Sequence, residues 1–381
     1  MLCVKYRKQQ LNILRYRFFV VKLLPCKTRS VIMGAIQAAT FRNNFDFLRI
    51  LFASFVIVSH SYYLLDGRSE DPFSSYLYHT ELSTLGVFGF FVLSGYLIFQ
   101  SLENTPNLFR FLLKRFKRIM PGLIVALVFT VFVLCLFLSD LPVSAYLSAA
   151  HVYLYFIKTI FFLPTDNLLP GVFEQNPLPF INGSLWTLRY EVLCYISLCL
   201  FFLLPKPYRS GFAGLMFAAF LILRSLHIGN IIPLEEGLSG HLGNFLNLFY
   251  CFYAGVLLKS REDFVLSHKR KIFLISALLL LVSYLLPLMI GQMLFLAVFP
   301  FFVLSAGLLY VKALHIPARI GDISYGTYIY AFPVQQALIS CGVDNVYVLI
   351  AMSLVFSWSL GYLSFHFVER KFLARYRTSQ Q

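Results

Sequence analysis

The chain has 381 residues, 59% of them hydrophobic and only 13% charged, with a mean hydropathy of +0.74. That balance excludes a soluble globular domain and describes a polytopic membrane protein, all-α in fold class. The formal charge of +15 does not indicate a nucleic-acid partner, because the basic residues stand in short clusters between apolar runs rather than along one face.

The first 32 residues carry eight basic residues and no acid, and Met33 follows shortly before the first apolar run. Residues 1–40 are either a basic cytoplasmic tail or the result of a start placed too early, with Met33 as the beginning. Crossing a bilayer takes roughly 17–25 apolar residues. Ten runs reach or approach that length: 45–65, 83–103, 120–139, 186–204, 211–228, 244–258, 272–288, 292–310, 322–341 and 346–368. A shorter run, 147–163, contains His151 and Lys158 and reads as interfacial or re-entrant. The expected architecture is a membrane domain over 41–370 with about ten crossings, both termini cytoplasmic, and a basic tail over 371–381. With that orientation, 27 of the 32 Lys and Arg residues fall on the cytoplasmic side and only Arg68 and Lys158 outside, as the positive-inside rule requires. The seven cysteines show neither paired nor metal-ligand spacing.

In the first run, eleven residues separate Arg49 from His60, about three turns at 3.6 residues per turn, so the two share a face ~16 Å apart along the axis. Two readings of each stand. Arg49 either snorkels to the inner headgroups, paired with Asp46, or faces a polar interior; His60 is either a neutral histidine bonded between helices or part of a polar line crossing the membrane. The second run contains GVFGFFVLSGYL (86–97), whose Gly86, Gly89, Ser94 and Gly95 allow close helix approach. The following segment, FLLKRFKRIMPG (111–122), reads as a cytoplasmic loop closed by Pro121 at the start of the third span. In it Arg115 and Arg118 lie one turn apart, suited either to orientation alone or to an anionic ligand such as the phosphates of a nucleotide-like cofactor. NGSLWTLRYEVLCY (182–195) enters the fourth span from outside. Its Glu191 lies at about the depth of His60, an arrangement suited to a general base and its orienting carboxylate. Arg189 is a poor local partner for it, on a different helix face. GDISYGTYIYAFPVQQ (321–336) opens the ninth span, with Ser324 and Tyr328 on one face.

Taken together, FDFLR with His60 eleven residues beyond Arg49, FFVLSG, RFKR before Pro121, LWTLRYE, GDISYGTYIY and the closing FVER (367–370) resemble acyltransferase family 3, the membrane O-acyltransferases of bacterial surface polysaccharides. The resemblance covers nearly the whole chain after about residue 40. It implies acyl-CoA, usually acetyl-CoA, as donor substrate, with no permanently bound cofactor, and a sugar hydroxyl of lipopolysaccharide, exopolysaccharide or a lipid-linked precursor as acceptor. It further implies a multi-pass protein of the bacterial inner membrane. His60 and Arg49 are its functional residues, with Arg115, Arg118, Ser324, Tyr328 and Ser94 as donor-side candidates. Many members have a Trp-His pair where this chain has Tyr330 and Ala331, so no role tied to that histidine applies here. The implied chemistry has His60 deprotonating the acceptor hydroxyl; the reading of Glu191 as the group that orients the imidazole comes from its depth alone, not from the resemblance. The competing classes are a transmembrane exporter of a glycan or acyl compound, and a scaffold in a polysaccharide-synthesis complex; a homodimer is a further possible assembly.

Overall fold

The physical requirement inside a bilayer is that every backbone polar group be satisfied within the chain, which leaves helices as the economical solution for long apolar runs. The structure, a computed structural model, describes residues 43–67, 71–76, 80–105, 107–229 and 236–373. The expectations for 1–40 and for the tail beyond 373 lie outside the described residues. Among the described residues, twelve α-helices of six or more residues follow one another: α1 (Phe45–Asp66), α2 (Leu82–Glu103), α3 (Leu108–Phe129), α4 (Val143–Ser148), α5 (Ala150–Ile160), α6 (Trp186–Leu198), α7 (Lys206–Ile228), α8 (Glu236–Ser260), α9 (Glu262–Ser283), α10 (Leu288–Leu308), α11 (Ser324–Ser340) and α12 (Val346–Phe367). Among the described residues there is no β-strand, only an isolated antiparallel bridge between Ser139 and Val172.

Each of the ten apolar runs is helical over most of its length. Seven helices (α1, α2, α3 with its continuation to Phe137, α7, α8, α10 and α12) are long and apolar enough to cross a membrane by length and composition. The remaining three are α6, with 13 residues, α11, with 17, and α9, which opens on charged turns. Leu215 on α7, Leu281 on α9 and Val355 on α12 are each more than half exposed, which water would penalise and lipid does not. The 11 residues of α5 span only about 16 Å at 1.5 Å per residue, in keeping with a segment that does not cross.

Two boundaries differ from expectation. The segment around FLLKRFKR is not a loop: α3 begins at Leu108, capped by the Asn107 side chain, which accepts from the Arg110 N–H at 3.0 Å. Pro121 therefore lies inside α3 rather than at its start. The reason is local, because Leu, Arg and Lys are good helix formers and the cap precedes them. Likewise Lys269, Arg270 and Lys271 lie on α9, not in a loop. Further along, α3 passes through one π-helical turn, Thr130–Leu134, where the Tyr146 hydroxyl donates to the Val131 carbonyl at 2.9 Å.

The axis of the domain is α2 against α8. A Cβ on Gly95 would stand 1.9 Å from the Phe252 carbonyl oxygen, and one on Gly255 2.1 Å from that of Val92; the two helices cross backbone to backbone, as small residues allow. The connection from α5 to α6 is packed down rather than free, with Val172, Phe173, Ile181 and Ser184 buried. Pro333 explains one of its anchors. Lacking an N–H, Pro333 leaves the Ile329 carbonyl of α11 without a helical partner, and Asn182 Nδ2 donates to that carbonyl at 2.9 Å. Gln336 adds two bonds of 2.6 Å from Nε2 to the Leu178 and Phe180 carbonyls.

Candidate active site

A cavity of about 540 Å³ opens among α1, α2, α3, α6 and α11. Seven of the eight candidate residues line it: Arg49, Ser94, Arg115, Arg118, Glu191, Ser324 and Tyr328. The chain brings them from five helices, which is why no single stretch of sequence announces the site.

At the floor of the cavity is a carboxylate that sequence reasoning did not assign. Asp322, just before α11, pairs with Arg49 of α1 through Oδ2 and with Arg118 Nη2 of α3 at 2.7 Å. Its other oxygen accepts from the Ser324 hydroxyl at 2.6 Å. Arg118 is doubly committed, because its Nη1 pairs with Glu369 at 2.8 Å. Glu369 is 1% exposed and also accepts from the Ser364 hydroxyl at 2.9 Å. The Arg118 guanidinium lies over the Tyr325 ring at 5.3 Å. Two arginines and two carboxylates thus form a charge-neutral cluster. Burial requires that arrangement, since an unpaired charge in a low-dielectric interior is costly. Arg49 consequently has an ion-pair partner within the protein, one that is 273 residues away in the chain.

The Arg115–Arg118 pair divides. Arg118 is saturated by carboxylates and ties α3 to α11 and to the segment after α12, so it is a clamp rather than a free phosphate ligand. Arg115 donates once, from Nη2 to the Ser101 hydroxyl at 3.1 Å, while its buried Nε has no partner. Around it on α3, Arg110, Lys114 and Lys117 also line the cavity, and Arg110 and Lys114 are exposed. This basic stripe is the part of the cavity able to meet an anionic ligand.

Ser324 and Tyr328 share the cavity but not a task. Ser324 orients Asp322, whereas the Tyr328 hydroxyl lies 2.8 Å from both the Ser184 carbonyl and the Thr187 hydroxyl, docking α11 on the start of α6. Glu191 accepts from the Tyr195 hydroxyl one turn on, so the expected Glu191–His60 couple is corrected. Equal depth along two helix axes does not fix rotation about them, and α6 turns Glu191 into the cavity beside Tyr195. His60 lies outside that lining. Its ring meets Phe332 edge-on at 5.4 Å, and its buried Nδ1 has no hydrogen-bond partner among the described residues. Phe332 is one turn beyond the lining residue Tyr328 on α11, so a single ring connects the imidazole to the helix that lines the cavity.

Asp322, Glu369, Tyr195 and the basic stripe were the residues missed. The signal was present for two of them. GDIS and FVER each carry an acid in a largely apolar context, and each acid is a natural partner for an intramembrane arginine.

The "Acyltransferase domain" family matches the chain over residues 42–363. An "O-acetyl transferase" of Shigella phage Sf6 is 29% identical over 342 residues, covering 87% of this chain and 96% of that protein. "Nodulation protein 10" of Rhizobium leguminosarum bv. viciae is 30% identical over 166 residues, 41% of this chain and 43% of that protein. No solved structure matches the chain.

Proposed function

The chain belongs to the acyltransferase-domain family, and from that membership we propose that it is a membrane O-acyltransferase of the bacterial inner membrane. It moves an acyl group, acetyl in the first instance, from cytoplasmic acyl-CoA to a hydroxyl of a surface glycan or its lipid-linked precursor. The observation that carries this reading is the cavity. The basic face of α3 and the apolar Phe90, Leu97 and Ile98 of α2 line it together, and Tyr328 of the lining stands one helical turn before Phe332, the ring against His60. The similarity to a phage "O-acetyl transferase" supports the acyl group chosen.

In this reading Arg110, Lys114, Arg115 and Lys117 hold the CoA phosphates at the mouth, where charge-assisted bonds are strongest per contact. The pantetheine arm lies along Phe90, Leu97 and Ile98. The thioester then reaches the Tyr328 end. His60 takes the proton of the acceptor hydroxyl, the alkoxide oxygen bonds to the thioester carbonyl carbon, and the carbon–sulfur bond breaks. The proton passes from the imidazolium to the departing thiolate, which leaves as CoA thiol. The Arg49–Asp322–Arg118 cluster fixes the cavity floor and keeps its charges paired throughout.

Purified protein in vesicles, supplied with labelled acetyl-CoA on the side of the basic segments and a glycan on the other, tests this reading. CoA release with label on the glycan supports it. Movement of glycan or acyl compound without covalent label would replace the enzyme with an exporter.

A further inference from the structure

A second cavity, of about 120 Å³, is lined by the turn after α5 and the start of α6. It shares one residue, Leu188, with the larger cavity. The first turns of α6 present Thr187 and Glu191 to the larger cavity and Trp186 and Arg189 to the smaller one, so this helix is the partition between them.

The polar groups of the smaller cavity fall into two sets. One set holds the loop together: Asn167 Oδ1 accepts from the Asn182 N–H at 3.1 Å and from the Tyr155 hydroxyl at 3.3 Å, and the Thr159 hydroxyl donates to the Tyr155 carbonyl at 2.7 Å. The other set is Arg189, the Trp186 indole N–H and the Thr165 hydroxyl, which have no hydrogen bond or ion pair among the described residues. An arginine on an apolar helix without a partner is costly, and such residues mark ligand paths. An indole beside a guanidinium offers a flat apolar platform next to an anion-binding fork.

The cavity is also joined to His60. Gly183 lines it, and a Cβ built there would stand 2.6 Å from the Phe332 ring. The same ring meets the His60 imidazole edge-on. One phenyl ring therefore lies between this cavity and the candidate base.

We propose that the smaller cavity is the acceptor subsite, and that it takes a hydroxylated sugar ring carrying a negative charge, with Trp186 under the ring and Arg189 on the anionic group. The inference rests on the reading of the chain as a glycan acyltransferase and adds the substrate class, an acidic glycan. Gly183 keeps the partition thin enough for a hydroxyl of that ring to reach His60 when Phe332 moves.

The chain has two tryptophans, Trp186 and Trp358, so Trp358→Phe leaves emission from Trp186 alone. That variant, in nanodiscs of neutral lipid, is titrated with a glucuronate-containing tetrasaccharide and with its carboxyl-reduced form. A saturable change in emission is expected, with the acidic sugar binding about tenfold or more tighter, the scale of one charge-assisted contact. Adding Arg189→Gln should abolish the difference while leaving acetyl-CoA affinity unchanged. No saturable change, or equal affinity for the two sugars, overturns the proposal. So does a preference that survives Arg189→Gln. If the effect of Arg189→Gln appears only in discs containing anionic lipid, the guanidinium serves lipid headgroups and the proposal also fails. Sugar binding as expected, without labelled transfer in the vesicle assay, would instead sink the enzymatic reading and leave the subsite standing.

Discussion

Arg115 and Arg118 are one turn apart on the same helix, yet their surroundings give them opposite expected phenotypes. Arg118 completes two buried ion pairs, to Asp322 and Glu369. Arg118→Ala strands Glu369 and leaves Asp322 with Arg49 as its one ion-pair partner, and breaking a buried pair costs about 3–5 kcal/mol. The expected outcome is a protein that is poorly recovered from membranes or melts early in detergent, read by thermal unfolding of the purified variant. Arg115 keeps a single hydrogen bond to Ser101 and presents its remaining donors to the cavity. Arg115→Ala should fold normally and lose acyl-CoA affinity by about 1.5–3 kcal/mol, the worth of one charge-assisted bond. Equal loss of folding in both variants would return the pair to a shared structural role. At this scale the sequence told half the story. The spacing of Arg49 and His60 was legible because it depends on one helix. The acid of GDIS was visible too, but its pairing with Arg49 was not, because a partner 273 residues distant has no local signature.

Helices were the most legible level, since every long apolar run is a helix in the structure. Their boundaries were read from charge, and charge misled where it coincides with helix propensity. The basic segment before Pro121 is three helical turns of α3, which is why its cations form a stripe beside the cavity instead of a disordered loop. The internal proline of α11 gives a sharper test. Asn182→Ala would leave the Ile329 carbonyl buried without a donor, a cost of about 1–3 kcal/mol. Pro333→Ala restores the N–H that can satisfy that carbonyl within the helix. The double variant should therefore lose less stability than Asn182→Ala alone, measured as the interaction energy of a double-mutant cycle. Simple additivity of the two changes would mean that the loop and the proline are not coupled.

For the whole molecule, composition alone excluded a soluble protein, and the skew of basic residues assigned a direction to the chain. The position of His60 outside the cavity lining was beyond reach of either, because it depends on how α1 packs on α11, where the imidazole meets Phe332. The direction is testable. Lys114 lies on the exposed face of α3 at the cavity mouth, and a single cysteine there should resist an impermeant thiol reagent in intact cells and react once the membrane is opened. Strong labelling from outside would invert the orientation and place the basic mouth away from cytoplasmic acyl-CoA. The central claim, that this fold delivers a donor thioester to an intramembrane base, rests on His60. The most direct measurement is glycan acylation in cells carrying His60→Ala at membrane abundance matched to the wild type, together with acyl-CoA binding by the purified variant. A positioned base contributes typically about 10²–10⁴-fold, so acylation should fall by at least two orders of magnitude while acyl-CoA affinity is unchanged. Near-wild-type acylation by His60→Ala would contradict the account.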